Sequence, residues 1–308
     1  MSQKNLPTNS YTLGIVAPAS YESPKLVYNK LKNIRSLGFN IKISKNLFKK
    51  SSIFAGTAKE RAKDILDMFT DESIDGILCL RGGYGSVHTL PYLDKNIILN
   101  NPKFFCGYSD ITVLLNYFAS IGLISFHGPM LTSNFNDKST ITSFKNIIYS
   151  NNSTIEYSLN KYKTISYINI RSFSGKLIGG NLTMICSIIG TPYEIKNDSE
   201  FILFLEEVNE APYCLHRLLS QLILSNFINE NCKGIIIGYL SNVQPYTLSI
   251  DKQLLESIII ELLEPLNIPL LIGFPSGHNY PNLTLPIGCN ATFDSLTQKL
   301  IFELKRKS

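Results

Sequence analysis

Apolar positions along this chain repeat with two alternating periods. Residues 13–20, Leu-Gly-Ile-Val-Ala-Pro-Ala-Ser, form a short apolar run that ends among small residues, as a buried strand entering a loop does. Residues 24–37 then place Leu26, Val27, Leu31, Ile34 and Leu37 at helical spacing, and Gly38 is positioned to stop the helix. Residues 39–43 alternate as a strand. Residues 57–69 are helical, with Thr57 and Glu60 at the spacing of a capping box. Residues 74–80 and 104–107 read as strands, 113–118 as a helix and 123–126 as a further strand. This alternation predicts a doubly wound, mostly parallel sheet with helices on its faces.

The pattern changes in the middle. Residues 132–164 are rich in Asn, Ser, Thr and Lys, with a modest apolar pattern around Phe144, Ile147 and Ile148. From about residue 131 this stretch is expected to be an interdomain connection or a flap. Beyond it, residues 177–182 read as a Gly-rich turn before a short helix ending near Ile189. Phe201 to Leu205 is a buried strand closed by Glu206-Glu207, and residues 213–224 form an amphipathic helix carrying Arg217. Residues 234–238 and 269–273 are short apolar strands flanking a helix over 252–263, and 289–293 and 300–304 are strand-like. The expectation is α/β throughout: a nucleophile domain over 1–160 and a smaller, β-rich α/β domain over 161–308.

Composition narrows the function classes. The chain has 308 residues, 44% hydrophobic and 17% charged, enough to bury a substantial core. Its net charge of +5 comes from lysines scattered among Asn and Ile, whereas nucleic-acid binding needs a clustered patch. Nucleic acid is therefore not an expected partner. The six cysteines are far apart and form no C-x-x-C pair, which supports neither a structural zinc nor a thioredoxin-type motif. Reduced thiols in a cytoplasmic protein are the simplest account. Residues 1–10 are polar, unlike a secretory signal, and no apolar run approaches the length of a membrane span. No membrane partner is expected.

Two loops carry candidate chemistry, both where strands end in an open α/β sheet. Arg81-Gly82-Gly83-Tyr84-Gly85-Ser86 lets backbone N–H groups approach a ligand closely. It fails the dinucleotide pattern, because His88 stands where the last glycine belongs, and it lacks the G-K-[ST] of a P-loop. A tight turn or an anion or oxyanion nest remains. Gly107-Tyr108-Ser109-Asp110 passes directly from strand to helix. Ser109 there is either a helix cap or a nucleophile beside the free N–H groups of a first helical turn.

A serine nucleophile needs a base, usually histidine, and a carboxylate to fix its tautomer. Four histidines are available. His216 lies in an amphipathic helix, and His88 sits just past the glycine loop, where a structural role fits. His127 and His278 both follow apolar strands, and the turn-forming surroundings of His278 favour exposure of its imidazole. Adjacent strand residues point to opposite faces, so Glu206 and Glu207 have separate jobs. One can orient a histidine while the other pairs with Arg217 or a backbone donor. No H-E-x-x-H or comparable metal cluster is present, so neither a metal nor a cofactor is expected.

These residues, together with Gly14 to Ser20, His127-Gly128-Pro129-Met130, Gly179-Gly180-Asn181-Leu182, Leu205-Glu206-Glu207-Val208, Gly277-His278 and Pro286-Ile287-Gly288, make nearly the whole chain resemble the LD-carboxypeptidase family of serine peptidases, which includes the microcin C immunity peptidases. The resemblance implies a triad of Ser109, Glu206 and His278, and an oxyanion hole of the Gly83 and Asp110 N–H groups. It implies a two-domain fold with the serine in the first domain, the glutamate and histidine in the second, and His278 Nε2 within reach of Ser109 Oγ. The expected activity is release of the terminal D-alanine from murein tetrapeptides during peptidoglycan recycling, by a cytoplasmic homodimer. Two alternatives share the scaffold: an immunity-type peptidase acting on a peptidyl or aminoacyl nucleotide, and a non-catalytic muropeptide-binding protein. The family often has Glu-Asp where this chain has Glu206-Glu207. Immunity-type members often stack a nucleobase on Trp, which this chain lacks.

Overall fold

The computed structural model describes residues 11–150, 152–241 and 252–304, so the polar stretch 1–10 lies outside the described residues. Along the chain come β1 (Thr12–Val16), α1 (Pro24–Ser36), β2 (Asn40–Ile43), α2 (Ala58–Thr70), β3 (Gly76–Cys79), α3 (Lys95–Asn100), β4 (Phe104–Gly107), α4 (Thr112–Ser120) and β5 (Ser125–His127). The predicted helix signals are present. α1 buries Val27, Leu31 and Ile34 on one face and ends before Gly38 at φ +96°. α2 starts with a complete Thr57–Glu60 capping box.

The middle of the chain holds α5 (Lys138–Tyr149), β6 (Thr154–Ser158) and β7 (Ser166–Ile168). The stretch expected to be an interdomain connection or a flap thus contains a docked helix and two strands. Asp137 caps α5 through Thr140 N at 2.7 Å, and Phe144, Ile147 and Ile148 are buried at helical spacing against the first sheet. Three well-spaced apolar side chains suffice to dock a helix whose other faces are polar.

The remainder comprises β8 (Phe173–Asn181), α6 (Leu182–Ile188), β9 (Phe201–Val208), α7 (Pro212–Leu224), β10 (Cys232–Ser241), α8 (Lys252–Leu263), β11 (Leu270–Ile272), β12 (Leu285–Ile287), β13 (Asn290–Asp294) and β14 (Lys299–Glu303). Residues 177–181 are therefore the end of a strand and not a turn, and Leu182 opens α6. The glycines serve close contact: a Cβ on Gly179 would lie 2.0 Å from the Phe204 carbonyl oxygen, and one on Gly180 would lie 2.6 Å from Thr112 Oγ1.

Among the described residues two sheets form. The first runs β12-β5-β4-β3-β1-β2, parallel except for β12 at its edge. The second runs β6-β14-β13-β8-β9-β10-β11-β7, with β8 to β11 parallel and antiparallel strands at both sides. The sheets take strands from both halves of the sequence, since β6 joins the second and β12 the first.

One face of β9 packs toward the first sheet through Ile202 and Phe204, and the other packs toward α6 to α8 through Leu203 and Leu205. The joint between the halves is polar as well. The Asn116 side chain donates to and accepts from the backbone of Gly179 at 2.9 Å each way, and Thr112 Oγ1 accepts Asn181 N at 3.0 Å. Among the described residues no helix is long and apolar enough to cross a membrane.

Candidate active site

Ser109 lies immediately past β4, in a short 3-10 turn that leads into α4. Its φ of +65° is left-handed, which for a residue with a Cβ costs on the order of 1–3 kcal/mol. Such strain at a strand-to-helix corner pushes the side chain out of the sheet. The loop after β3 comes up against it: a Cβ on Gly82 would lie 3.0 Å from Ser109 Oγ and 3.3 Å from Asp110 N. Neither the Gly83 nor the Asp110 N–H is hydrogen-bonded to another described residue.

The period of two along β9 decides the fate of the two glutamates. Glu206 follows Ile202 and Phe204 onto the face toward the first sheet, while Glu207 follows Leu203 and Leu205 toward the helices. Glu207 accepts Asn181 Nδ2, Val208 N and Thr183 N, each at 2.8 Å, so it holds the start of α6. Of the two partners expected, Arg217 or a backbone donor, Glu207 takes backbone donors; among the described residues Arg217 reaches Cys214 Sγ, one turn away on its own helix.

Glu206 is fully buried, and its Oε2 accepts His278 Nδ1–H at 2.6 Å. Its Oε1 has no partner among the described residues. Burial pushes the Glu206 carboxyl above its ordinary value, and the contact with His278 pulls it back down. Because Nδ1 carries the proton shared with Glu206, Nε2 is left as the basic nitrogen.

His278 sits in the loop after β11. Gly277, at φ +122°, has no room for a side chain, since a Cβ there would lie 2.8 Å from Glu206 Oε2. The loop is pinned by Asn282, whose Oδ1 accepts Gly277 N and Ser276 Oγ at 3.1 Å each, and whose N–H donates to Thr140 Oγ1 on α5 at 2.9 Å. The imidazole packs edge-on against Tyr108, ring centroids 4.8 Å apart, so the residue beside Ser109 touches the histidine directly. No Ser109–His278 hydrogen bond is formed. Contacts of this kind tighten when substrate is bound.

His127, the other loop candidate, is fully buried between Tyr108 and Phe204, and neither ring nitrogen has a partner among the described residues. Burial drives its pKa down to about 3, so it stays neutral. His88 packs against Phe54 and Tyr84, and His216 lies on α7, 3.7 Å from Glu261. Tyr108 and Gly277 are site residues to which the sequence alone assigns no role. Their signal was adjacency: each stands next to a residue already singled out. A cavity of about 690 Å³ lies elsewhere, at the opposite ends of the first-sheet strands, lined by Tyr11, Lys103, Phe104, Leu123, Lys176 and Glu303.

Known proteins resemble this chain over nearly its whole length. Models of the LD-carboxypeptidase N-terminal and C-terminal domains match residues 13–128 and 174–293. A probable murein peptide carboxypeptidase of Bacillus subtilis (strain 168) is 32% identical over 298 residues, covering 95% of this chain and 91% of that protein. The microcin C7 self-immunity protein MccF of Escherichia coli is 30% identical over 308 residues, covering 90% and 88%. Among solved structures, muramoyltetrapeptide carboxypeptidase from Oxalobacter formigenes superposes with a TM-score of 0.81 at 28% identity, over 96% of this chain and 99% of that one. MccF in complex with glutamyl sulfamoyl guanosine gives a TM-score of 0.84 at 26% identity, over 97% of each chain.

Proposed function

The chain belongs to the LD-carboxypeptidase family, and on that premise we propose that it is a metal-independent serine carboxypeptidase releasing the terminal D-alanine from murein tetrapeptides. Ser109 Oγ attacks the carbonyl carbon of the last peptide bond while His278 Nε2 takes the hydroxyl proton. The oxyanion of the tetrahedral intermediate accepts the Gly83 and Asp110 N–H groups. Collapse breaks the C–N bond, and the imidazolium returns the proton to the departing D-alanine amine. Water, deprotonated by His278, then cleaves the Ser109 ester and frees the tripeptide. Glu206 holds the His278 tautomer and balances the imidazolium charge in both steps.

The observation that carries this reading is the 2.6 Å bond between the fully buried Glu206 and the half-buried His278, residues 72 apart in sequence. The expected setting, a cytoplasmic homodimer serving peptidoglycan recycling, is part of the proposal and rests on the family resemblance.

MccF among the relatives favours one second reading, cleavage of a peptidyl or aminoacyl nucleotide. The absence of Trp from the sequence removes one common means of stacking a nucleobase. The test is mass spectrometry of murein tetrapeptide and of an aminoacyl sulfamoyl nucleotide, each incubated with the protein. Conversion of tetrapeptide to tripeptide plus D-alanine is the expected result. Cleavage of the nucleotide alone would establish the second reading.

A further inference from the structure

Two buried charges near Ser109 have no part in the triad. The Asp110 side chain is 1% exposed and Arg61, on α2, is 2% exposed. Both are committed to the glycine loop. Asp110 Oδ1 accepts Gly85 N at 3.1 Å and Oδ2 accepts Ser86 N at 2.8 Å. Ser86 Oγ donates back to the Asp110 carbonyl oxygen at 2.6 Å. From the other side Arg61 Nη1 donates to the Gly85 carbonyl at 2.9 Å and to that of Pro18, with the guanidinium over the Phe54 ring.

The loop has no freedom left between these grips. A Cβ on Gly85 would strike the Phe54 ring at 2.5 Å, and one on Gly83 would strike Ser20 Oγ at 2.4 Å. Ser20 Oγ also accepts Tyr84 N at 3.3 Å. Among the described residues the Gly82 and Gly83 N–H groups, like that of Asp110, donate no hydrogen bond.

A helix cap alone does not require this arrangement. The Asp110 carboxylate caps none of the N–H groups of its own helix and spends both oxygens on a loop 24 and 25 residues earlier. Burying a carboxylate and a guanidinium without a direct ion pair is costly unless the hydrogen bonds fix something of use. Resting on the serine-peptidase reading above, we propose that Asp110 and Arg61 are positioning residues that clamp the 82–86 loop so that the Gly83 N–H and the Asp110 N–H converge on one oxyanion. The nucleophile corner would thereby set its own second oxyanion donor. The same residue supplies one donor from its backbone and fixes the other with its side chain.

Asp110→Asn replaces one acceptor with an NH₂ group facing a backbone N–H, which pushes the loop away from Ser109. Its kcat should fall about 10²–10³-fold with KM within about threefold, the cost of losing one oxyanion donor. Affinity for a peptide boronate, which puts an oxygen in the oxyanion position, should fall in parallel, while affinity for the tripeptide product stays level. A purely structural role would not divide these two affinities. Arg61→Lys, which keeps the charge and loses the planar fork, should move both readouts the same way by about tenfold. If Asp110→Asn does not fold, Arg61→Lys decides on the same criterion. Folded variants with kcat and boronate affinity at the wild-type level would overturn the clamp. Ser109→Ala, assayed alongside, separates the two failures: an inactive Ser109→Ala beside a fully active Asp110→Asn rejects the clamp alone, whereas turnover in Ser109→Ala rejects the reading beneath it.

Discussion

Replacing Glu206 with glutamine removes one charge and little else. The amide keeps the length of the side chain, and its carbonyl can still accept His278 Nδ1–H across the observed 2.6 Å. What disappears is the attraction between a carboxylate and the imidazolium formed in each transition state. With charge centres about 4 Å apart and an effective dielectric near 20, that attraction is about 4 kcal/mol. The result is a loss of about three orders of magnitude in kcat, with KM little changed because the charge develops only after binding.

Stability should move the other way. Glu206 is fully buried, which raises its pKa, and its Oε1 has no partner among the described residues. Glu206→Gln should therefore melt at the wild-type temperature or above it, since a buried, partly compensated charge has been removed. The assay is steady-state D-alanine release with purified variant, paired with thermal unfolding by circular dichroism. A kcat within about tenfold of wild type, or a lower melting temperature explaining the loss, would refute the charge-balance reasoning.

Gly277→Ala tests the seating of His278. A Cβ 2.8 Å from Glu206 Oε2, at a φ of +122°, should cost roughly 1–3 kcal/mol of stability and displace the imidazole, lowering kcat more than KM; wild-type kinetics in this variant would show that the loop has slack. His127 predicts a pH effect on stability. Its folded pKa of about 3 lies below the ordinary 6.5, so between these values the unfolded chain binds a proton the native one does not. Stability should be lost as pH falls from about 6.5 toward 3, with about 3 kcal/mol gone by pH 4.5 from this residue. His127→Leu should flatten that part of the stability–pH curve in chemical denaturation, and an unchanged slope would contradict the assignment.

Much of the framework follows from local patterns. Thr57 with Glu60 marked a helix start because a capping box is made entirely of neighbours. The separation of Glu206 from Glu207 follows from strand periodicity alone. Other features needed the tertiary structure. Gly179-Gly180 looked like a turn because glycine serves turns and close contacts alike, and only the Phe204 carbonyl and Thr112 distinguish the two. α5 was obscured by its polar majority, with few apolar side chains to set the period. Arg61 reads as one more surface charge on an amphipathic helix, although it is buried against the glycine loop. Asp110 is equally good as a cap or a clamp until its acceptor oxygens are followed to Gly85 and Ser86.

The central claim is that Ser109 is the nucleophile, and turnover of murein tetrapeptide by Ser109→Ala tests it most directly. The serine lies at a strained corner and donates no hydrogen bond to another described residue, so its removal should leave the fold and melting temperature intact. D-alanine release, followed by mass spectrometry against wild type at equal concentration, should fall by roughly four to six orders of magnitude. Release at close to the wild-type rate would contradict the account.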